Sequence, residues 1–265
     1  MRALGLVLLV AASCWSITDV ERAQMLEAHH QVRQSVNPPA ASMKLMRYSK
    51  KLETLADKWA RRCEFEHPNG DEHPEYHALG QNLALAIGFK PPLTEASCGW
   101  TGEVKFYQYA NDSCSHICDH YTQVSLFVRL EQCIAPSLWS EVHVMPFFNL
   151  HICLPKYVDM VWADTTEVGC SMRRCDGLRP KQNNPQYITV CQYSPMGNYI
   201  GRKPYTEGPS CSQCAKGEQC YRNQCVKGFQ WKRVFPLSKL PHLKDRTMPK
   251  CKPTEFYSSV IYRGA

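Results

Sequence analysis

Residues 49–65 read SKKLETLADKWARRCEF, and the spacing of their apolar side chains sets the first layer of the fold. Leu52, Leu55, Ala56, Trp59, Ala60 and Cys63 recur at three- and four-residue steps along one stripe, while Lys50, Lys51, Asp57, Lys58, Arg61 and Arg62 fall outside it. This is an amphipathic helix that needs a surface to pack on, with Ser49 placed to cap its start. Upstream, Asp19 to Val36 carries Met25, Leu26, His29, Val32, Arg33 and Val36 on a similar period. There Asp19 can cap the helix, and Pro38 and Pro39 stop it. Downstream, Pro68, Asn69, Gly70 and Pro74 mark a loop. A third helix is expected from near Thr94, with Trp100, Glu103, Val104 and Tyr107 on its packed face. Glu103 on that face needs partners, because a buried carboxylate is costly without them. Thr122 to Val124, Met160 to Ala163 and Tyr187 to Tyr193 have the β-branched and aromatic content of strands. Three helices with strands late in the chain, and no P-loop or dinucleotide fingerprint, predict a layered α/β domain.

With 265 residues and 44% apolar content the chain can bury its own core, which excludes disorder throughout. Residues 1–16 place Arg2 before an apolar run, Ala3 to Ala12, and small residues from Ser13 to Ser16. That is the pattern of a signal peptide, too short for a membrane span. Its removal takes Cys14 and leaves 14 of the 15 cysteines. An even set at irregular spacing reads as a disulfide framework, which places the protein outside the cell. A zinc finger needs matched cysteine pairs, and only Cys211 and Cys214 have the two-residue gap, inside a cluster with Cys220 and Cys225. The small unit 206–225 cannot bury a core and must depend on its bridges. Residues 226–265 read as a basic flexible tail, with nine Lys and Arg against Asp245 and Glu255. That tail holds the whole formal charge of +7 and suits sulfated glycans, an anionic membrane surface or simple solvation. No apolar run follows Gly217 that would serve as an anchor, and no nucleic-acid partner is expected.

Several segments in order resemble the CAP superfamily of cysteine-rich secretory proteins, antigen 5 and pathogenesis-related 1 proteins. They are LEAHHQVR (26–33), the stretch from Val36 to His67, LGQNLA (79–84), WTGEVKFY (100–107), CSHICDHYTQV (114–124), VWADTTEVGCSMRRC (161–175) and ITVCQYSPMGNYIGRKPY (188–205). The resemblance spans about residues 20–205. VNPPAASMK (36–44) and CSQCAKGEQCYRNQC (211–225) are most similar to the glioma pathogenesis-related group. It implies a three-layer α-β-α sandwich with a cleft where two histidines and two acids converge. By motif these are His67, His120, Glu103 and a residue that is Gln81 here, since GQNL stands where the family has GENL. Imidazoles and carboxylates can hold zinc or a similar divalent ion, and a neutral amide at Gln81 weakens such a site. The resemblance further implies a non-enzymatic module that binds an extracellular protein, a membrane surface, or a sterol or fatty acid, with roles at the sperm surface, in gamete interaction or in immune defence. The alternatives are a metal-dependent or serine-type hydrolase in the cleft, with Thr122 two residues from His120, and a poorly folding splice isoform.

The family would read HYTQVVWADT without a break, yet here 36 residues, Ser125 to Met160, separate Val124 from Val161. An insertion within a strand is where a fold tolerates it least. Two readings stand: a splicing product, or a functional insertion that covers the cleft. By resemblance Cys175 would pair with Cys191, and Cys63, Cys114, Cys118 and Cys170 would form two further bridges. Cys211 would pair with Cys220 and Cys214 with Cys225, leaving Cys98, Cys133, Cys153 and Cys251 without family partners. Cys133 and Cys153 could close the insertion on itself. Asn111, Asp112 and Ser113 form a glycosylation sequon.

Overall fold

The computed structural model describes residues 17–116, 118, 120–121, 160–199 and 201–228, and the backbone of 260–262. Helix α1 (Asp19–Gln34) is capped by Thr18 rather than Asp19. The Thr18 hydroxyl accepts from the Glu21 N–H while the Glu21 carboxylate accepts from the Thr18 N–H, satisfying two end groups reciprocally. Asp19, already inside the first turn, pairs instead with Arg22 at 2.6 Å. Helix α2 (Lys50–Ala60) is capped by Ser49 as its sequence implied, and it buries Leu52, Ala56, Trp59 and Ala60. Burial of each large apolar side chain contributes about 1.5–3 kcal/mol. The helix stops at Ala60 rather than Phe65; beyond it Cys63 takes a left-handed backbone, φ 52°, which no α-helix continues through. Helix α3 (Thr94–Gly102) starts where expected and tightens into a 3₁₀ turn, Glu103–Phe106. That change of pitch buries Glu103 but leaves Val104 39% exposed, contrary to the sequence expectation.

Strand β1 (Arg47–Tyr48) precedes α2, and β2 (Gly80–Ile87) lies between α2 and α3, earlier than the strands read from sequence. GQNLALAI escaped that reading because a strand buried on both faces shows no polar alternation. Hairpin strands β3 (Tyr107–Gln108) and β4 (Ser113–Cys114) follow, then β5 (Glu167–Arg174) and β6 (Gln186–Ser194). The main sheet runs β1-β5-β6-β2 and ends on β9 (Val260–Tyr262), with β6 antiparallel to its neighbours β5 and β2, β9 antiparallel to β2, and β1 parallel to β5. Alternation divides it between two helical layers. Val168, Cys170, Met172, Tyr187, Ala84 and Ala86 join the core of α1 and α3, whereas Ile188, Val190, Leu83 and Leu85 join that of α2. This is the α-β-α sandwich the family resemblance implied. Gly169 lets α2 approach β5 closely: a Cβ there would lie 2.2 Å from the Glu53 nitrogen.

Met160 to Ala163 do not form the expected strand; the backbone bends there and the side chains are buried. Their carbonyls are drawn to Arg33 of α1 instead of to a ladder. The buried guanidinium donates to the carbonyls of Met160 at 3.0 Å, Trp162 at 2.7 Å, Ala163 at 3.2 Å, Thr165 at 3.1 Å and Lys44 at 2.7 Å. Thr122 to Val124 and Ser125 to Asp159 of the insertion lie outside the described residues.

The disulfides correct one expected pairing. Cys170 and Cys191 face each other in the β5–β6 register and are bonded, while Cys175, past the end of β5, reaches Cys63 beyond α2. Cys114–Cys118, Cys211–Cys220 and Cys214–Cys225 are also bonded, and Cys98 is in a disulfide as well. Cys133, Cys153 and Cys251 lie outside the described residues. The terminal unit folds as the hairpin β7 (Glu218–Tyr221) and β8 (Gln224–Lys227), so Val226 and Lys227 belong to it rather than to a flexible tail. It is docked on the body: Arg222 donates to Glu27 at 2.7 and 2.8 Å and to Gln34 at 2.7 Å, and Lys44 pairs with Glu218 at 2.8 Å. Val260–Tyr262 are likewise a strand, where a flexible segment was expected.

Candidate cleft site

Glu103 sits at the turn where α3 tightens, 5% exposed, and its carboxylate bonds to the segment of chain at His120 and Tyr121. One carboxylate oxygen accepts from the backbone N–H groups of His120 at 3.0 Å and Tyr121 at 3.2 Å. The other meets the Nδ1 of His120 at 2.7 Å. An ionised carboxylate only accepts, so Nδ1 carries a proton. Trp100 stacks against this ring, 6.0 Å between centroids and 12° between planes. Glu103 therefore fixes the Cys118–Tyr121 segment and orients His120.

The second half of the expected site is built on β2. The Gln81 side-chain oxygen accepts from Nδ1 of His67 at 2.9 Å, so Nδ1 of His67 carries a proton too. Gln81 thus orients a histidine, although a neutral amide oxygen accepts more weakly than a carboxylate and brings no charge. The next residue, Asn82, donates to the backbone carbonyl of His120 at 3.5 Å and to the Tyr193 hydroxyl at 3.3 Å. Gln192 of β6 stands opposite Gln81 in the register. It is fully buried, and both of its amide atoms, like the Gln81 nitrogen, lack a hydrogen-bond partner among the described residues.

The four motif residues thus form two pairs, His67 with Gln81 and Glu103 with His120. Among the described residues, the one group of three histidine, cysteine or acidic ligand atoms mutually within 4.8 Å is Cys211, Cys214 and Cys225. Those sulfurs are in disulfides with Cys220 and with one another, so they are not thiolate ligands. Thr122 lies outside the described residues. Asn82, Trp100 and Gln192 were not singled out for the site from sequence. The signal for Gln192 is its position beside Cys191, which has meaning only once β6 is registered against β2.

A family model described as the CAP cysteine-rich secretory protein family matches residues 26–193. The chain belongs to the CAP family. GLIPR1-like protein 1 of Homo sapiens is 33% identical over 232 residues, 84% of this chain and 79% of that protein. Glioma pathogenesis-related protein 1 of Mus musculus is 30% identical over 206 residues, 77% of this chain; the chain spans 63% of that relative's length. Among solved structures, NaASP2 with Zn2+ aligns with a TM-score of 0.52 and 24% identity, covering 79% of this chain and 97% of that one. BmVAL-1 gives 0.52 and 21%, covering 82% and 98%, and both share the fold. This CAP protein is secreted, extracellular and disulfide-bonded. No described helix is long and apolar enough to cross a membrane.

Proposed function

We propose that this CAP protein works by binding an extracellular protein or a membrane surface, with a sterol or fatty acid as a carried ligand and no turnover. The observation that carries the reading is the state of the cleft acids. One is replaced by Gln81, and the other, Glu103, is engaged at both oxygens, by two backbone N–H groups and an imidazole. General acid–base work by a carboxyl needs capacity left for substrate, and glycoside chemistry needs a pair of carboxyls. A role at the sperm surface, in gamete interaction or in immune defence is supported by the family resemblance. Labelled secreted protein should bind cholesterol-containing vesicles or intact cells saturably, and equally well as His120→Ala. Peptide, ester or glycan hydrolysis that disappears in His120→Ala would overturn the reading.

A weak divalent site is the second reading, favoured by two histidines whose Nδ1 atoms are each held by a side-chain oxygen, His67 by Gln81 and His120 by Glu103. Zinc would be held by His67 and His120, with Gln81 and Glu103 as orienting groups; bound metal supplies charge that can grip a polar ligand. Zinc titration followed on the histidine ring signals should move both residues, and Gln81→Glu should tighten binding about tenfold. No shift in either protein would remove the metal.

Asn111 is proposed to carry an N-linked glycan. It is exposed in the turn of the β3–β4 hairpin, and Ser113 donates its hydroxyl to the Asn111 side-chain oxygen at 2.9 Å. Glycosidase treatment should increase gel mobility of the secreted protein and leave Asn111→Gln unchanged; identical mobility before and after treatment refutes it.

A further inference from the structure

The terminal unit holds two bridges, Cys211–Cys220 and Cys214–Cys225, and the sulfurs of Cys211, Cys214 and Cys225 lie within 4.8 Å of one another. The same four residues are also placed for the opposite pairing. Cys220 and Cys225 stand opposite each other in the β7–β8 register. The N–H of Cys225 donates to the Met43 carbonyl at 2.6 Å and its carbonyl accepts from the Leu45 N–H at 2.9 Å, so both backbone groups turn away from Cys220. That makes a non-hydrogen-bonded pair, whose Cα atoms lie about 4.5 Å apart with side chains on one face, within reach of a disulfide. Cys211 and Cys214 close a four-residue turn, the Cys214 N–H donating to the Cys211 carbonyl at 3.3 Å. Such a turn keeps its end Cα atoms within about 7 Å. Cys220 is exposed and Cys225 is buried, so a thiol arriving from solvent meets the Cys220 sulfur first.

We propose that the Cys211–Cys220 bridge is a thiol–disulfide exchange site for a small thiolate of the glutathione type, and that the exchange relays through all four sulfurs. The thiolate attacks Sγ of Cys220, forming a mixed disulfide as the Cys211–Cys220 bond breaks and Cys211 leaves as a thiolate. Cys211 then attacks Sγ of Cys214, forming Cys211–Cys214 and releasing Cys225 as a thiolate. Cys225 attacks Sγ of Cys220, forming Cys220–Cys225 and returning the small thiolate. Each step forms one S–S bond and breaks one, so nothing is oxidised or reduced overall. Both present bridges tie the Cys211–Cys214 turn to the hairpin, whereas each exchanged bridge closes within one of them. The turn keeps its bond from the Gln213 N–H to the Ala41 carbonyl at 2.9 Å, and the hairpin keeps Lys44–Glu218 and Arg222–Glu27, but no sulfur then joins the two. The exchange unlatches the hairpin from the turn, independently of the cleft.

The test treats the full-length secreted protein with reduced glutathione at mildly alkaline pH, traps free thiols with N-ethylmaleimide and digests with trypsin without reduction. Trypsin cuts after Arg202, Lys216, Arg222 and Lys227. The present bridges join 203–216, 217–222 and 223–227 in one assembly, whereas the exchanged ones free 203–216 and leave 217–222 linked to 223–227. Mass spectrometry should show the assembly giving way to those two products, with glutathione on Cys220 as the transient. Conversion should run at least about tenfold faster than any loss of the buried Cys170–Cys191 bridge, since access governs attack. The Leu45 and Gln213 amides should exchange hydrogen severalfold faster in the product, because local protection follows local anchoring. An assembly that stays intact overturns the site, and a glutathione adduct without exchanged bridges overturns the relay. Loss of Cys170–Cys191 at the same rate means general scrambling and overturns the confinement to this unit. Unchanged amide exchange in the product overturns the unlatching.

Discussion

Replacing Glu103 separates its two jobs, tying down a segment and choosing a tautomer. In Glu103→Ala the N–H groups of His120 and Tyr121 and the Nδ1–H of His120 lose their acceptor in a buried setting. Hydrogen bonds to a charged acceptor contribute about 1.5–3 kcal/mol each, and orphaned buried donors cost about 1–3. Because some of these donors will find water, the expected loss is about 3–5 kcal/mol, a large part of the 5–15 typical of a domain. Urea unfolding of the disulfide-intact protein measures it. In Glu103→Gln the amide oxygen can keep both backbone donors, so the cost falls to about 1–2 kcal/mol. The amide nitrogen then faces Nδ1, which must turn acceptor, and the imidazole proton moves to Nε2. Nitrogen NMR of the His120 ring reports that inversion directly, and any zinc response at His120 should vanish with it. An unchanged tautomer in Glu103→Gln, or a loss below about 1 kcal/mol in Glu103→Ala, would refute the orienting role.

Three further outcomes follow from the packing. Gly169→Ala should cost about 3 kcal/mol or more, because the new Cβ would meet the backbone of α2 rather than a movable side chain; near-normal secretion and stability would contradict the close approach. His29 and His30 are buried, and desolvation holds both down to about 4, with Arg33 opposing their charge in each case. Depressed folded values mean stability is full above about pH 6.5 and lost as pH falls towards 4, by about 3 kcal/mol for each ring. Urea midpoints at a series of pH values should show this slope, reduced in His30→Gln, whereas a flat profile between pH 7 and 5 would count against it. Arg222→Ala should loosen the terminal hairpin, with a coupling to Glu27 of about 1 kcal/mol in a double-mutant cycle and faster proteolysis near Cys211–Cys225; additive single changes would show that the pair does not dock the unit.

The local code was enough for the helices. The stripe from Leu52 to Ala60, Ser49 as its cap and the start of α3 at Thr94 were all legible, because side-chain period and capping act within a few residues. The motifs likewise named the family and the residues that flank the cleft. What the chain's order could not reveal depends on partners far away in sequence. The strand character of β2 rests on burial against two layers, and the Cys170–Cys191 bridge rests on the β5–β6 register. The backbone bend at Met160 to Ala163 rests on a guanidinium from α1 that outcompetes a ladder for their carbonyls. In the same way, sequence put Gln81 in a ligand's position, and only the folded arrangement made it the acceptor that orients His67. Spacing along a chain encodes which face a residue occupies, whereas hydrogen bonds across the core are set by register and packing, which exist only once the layers meet.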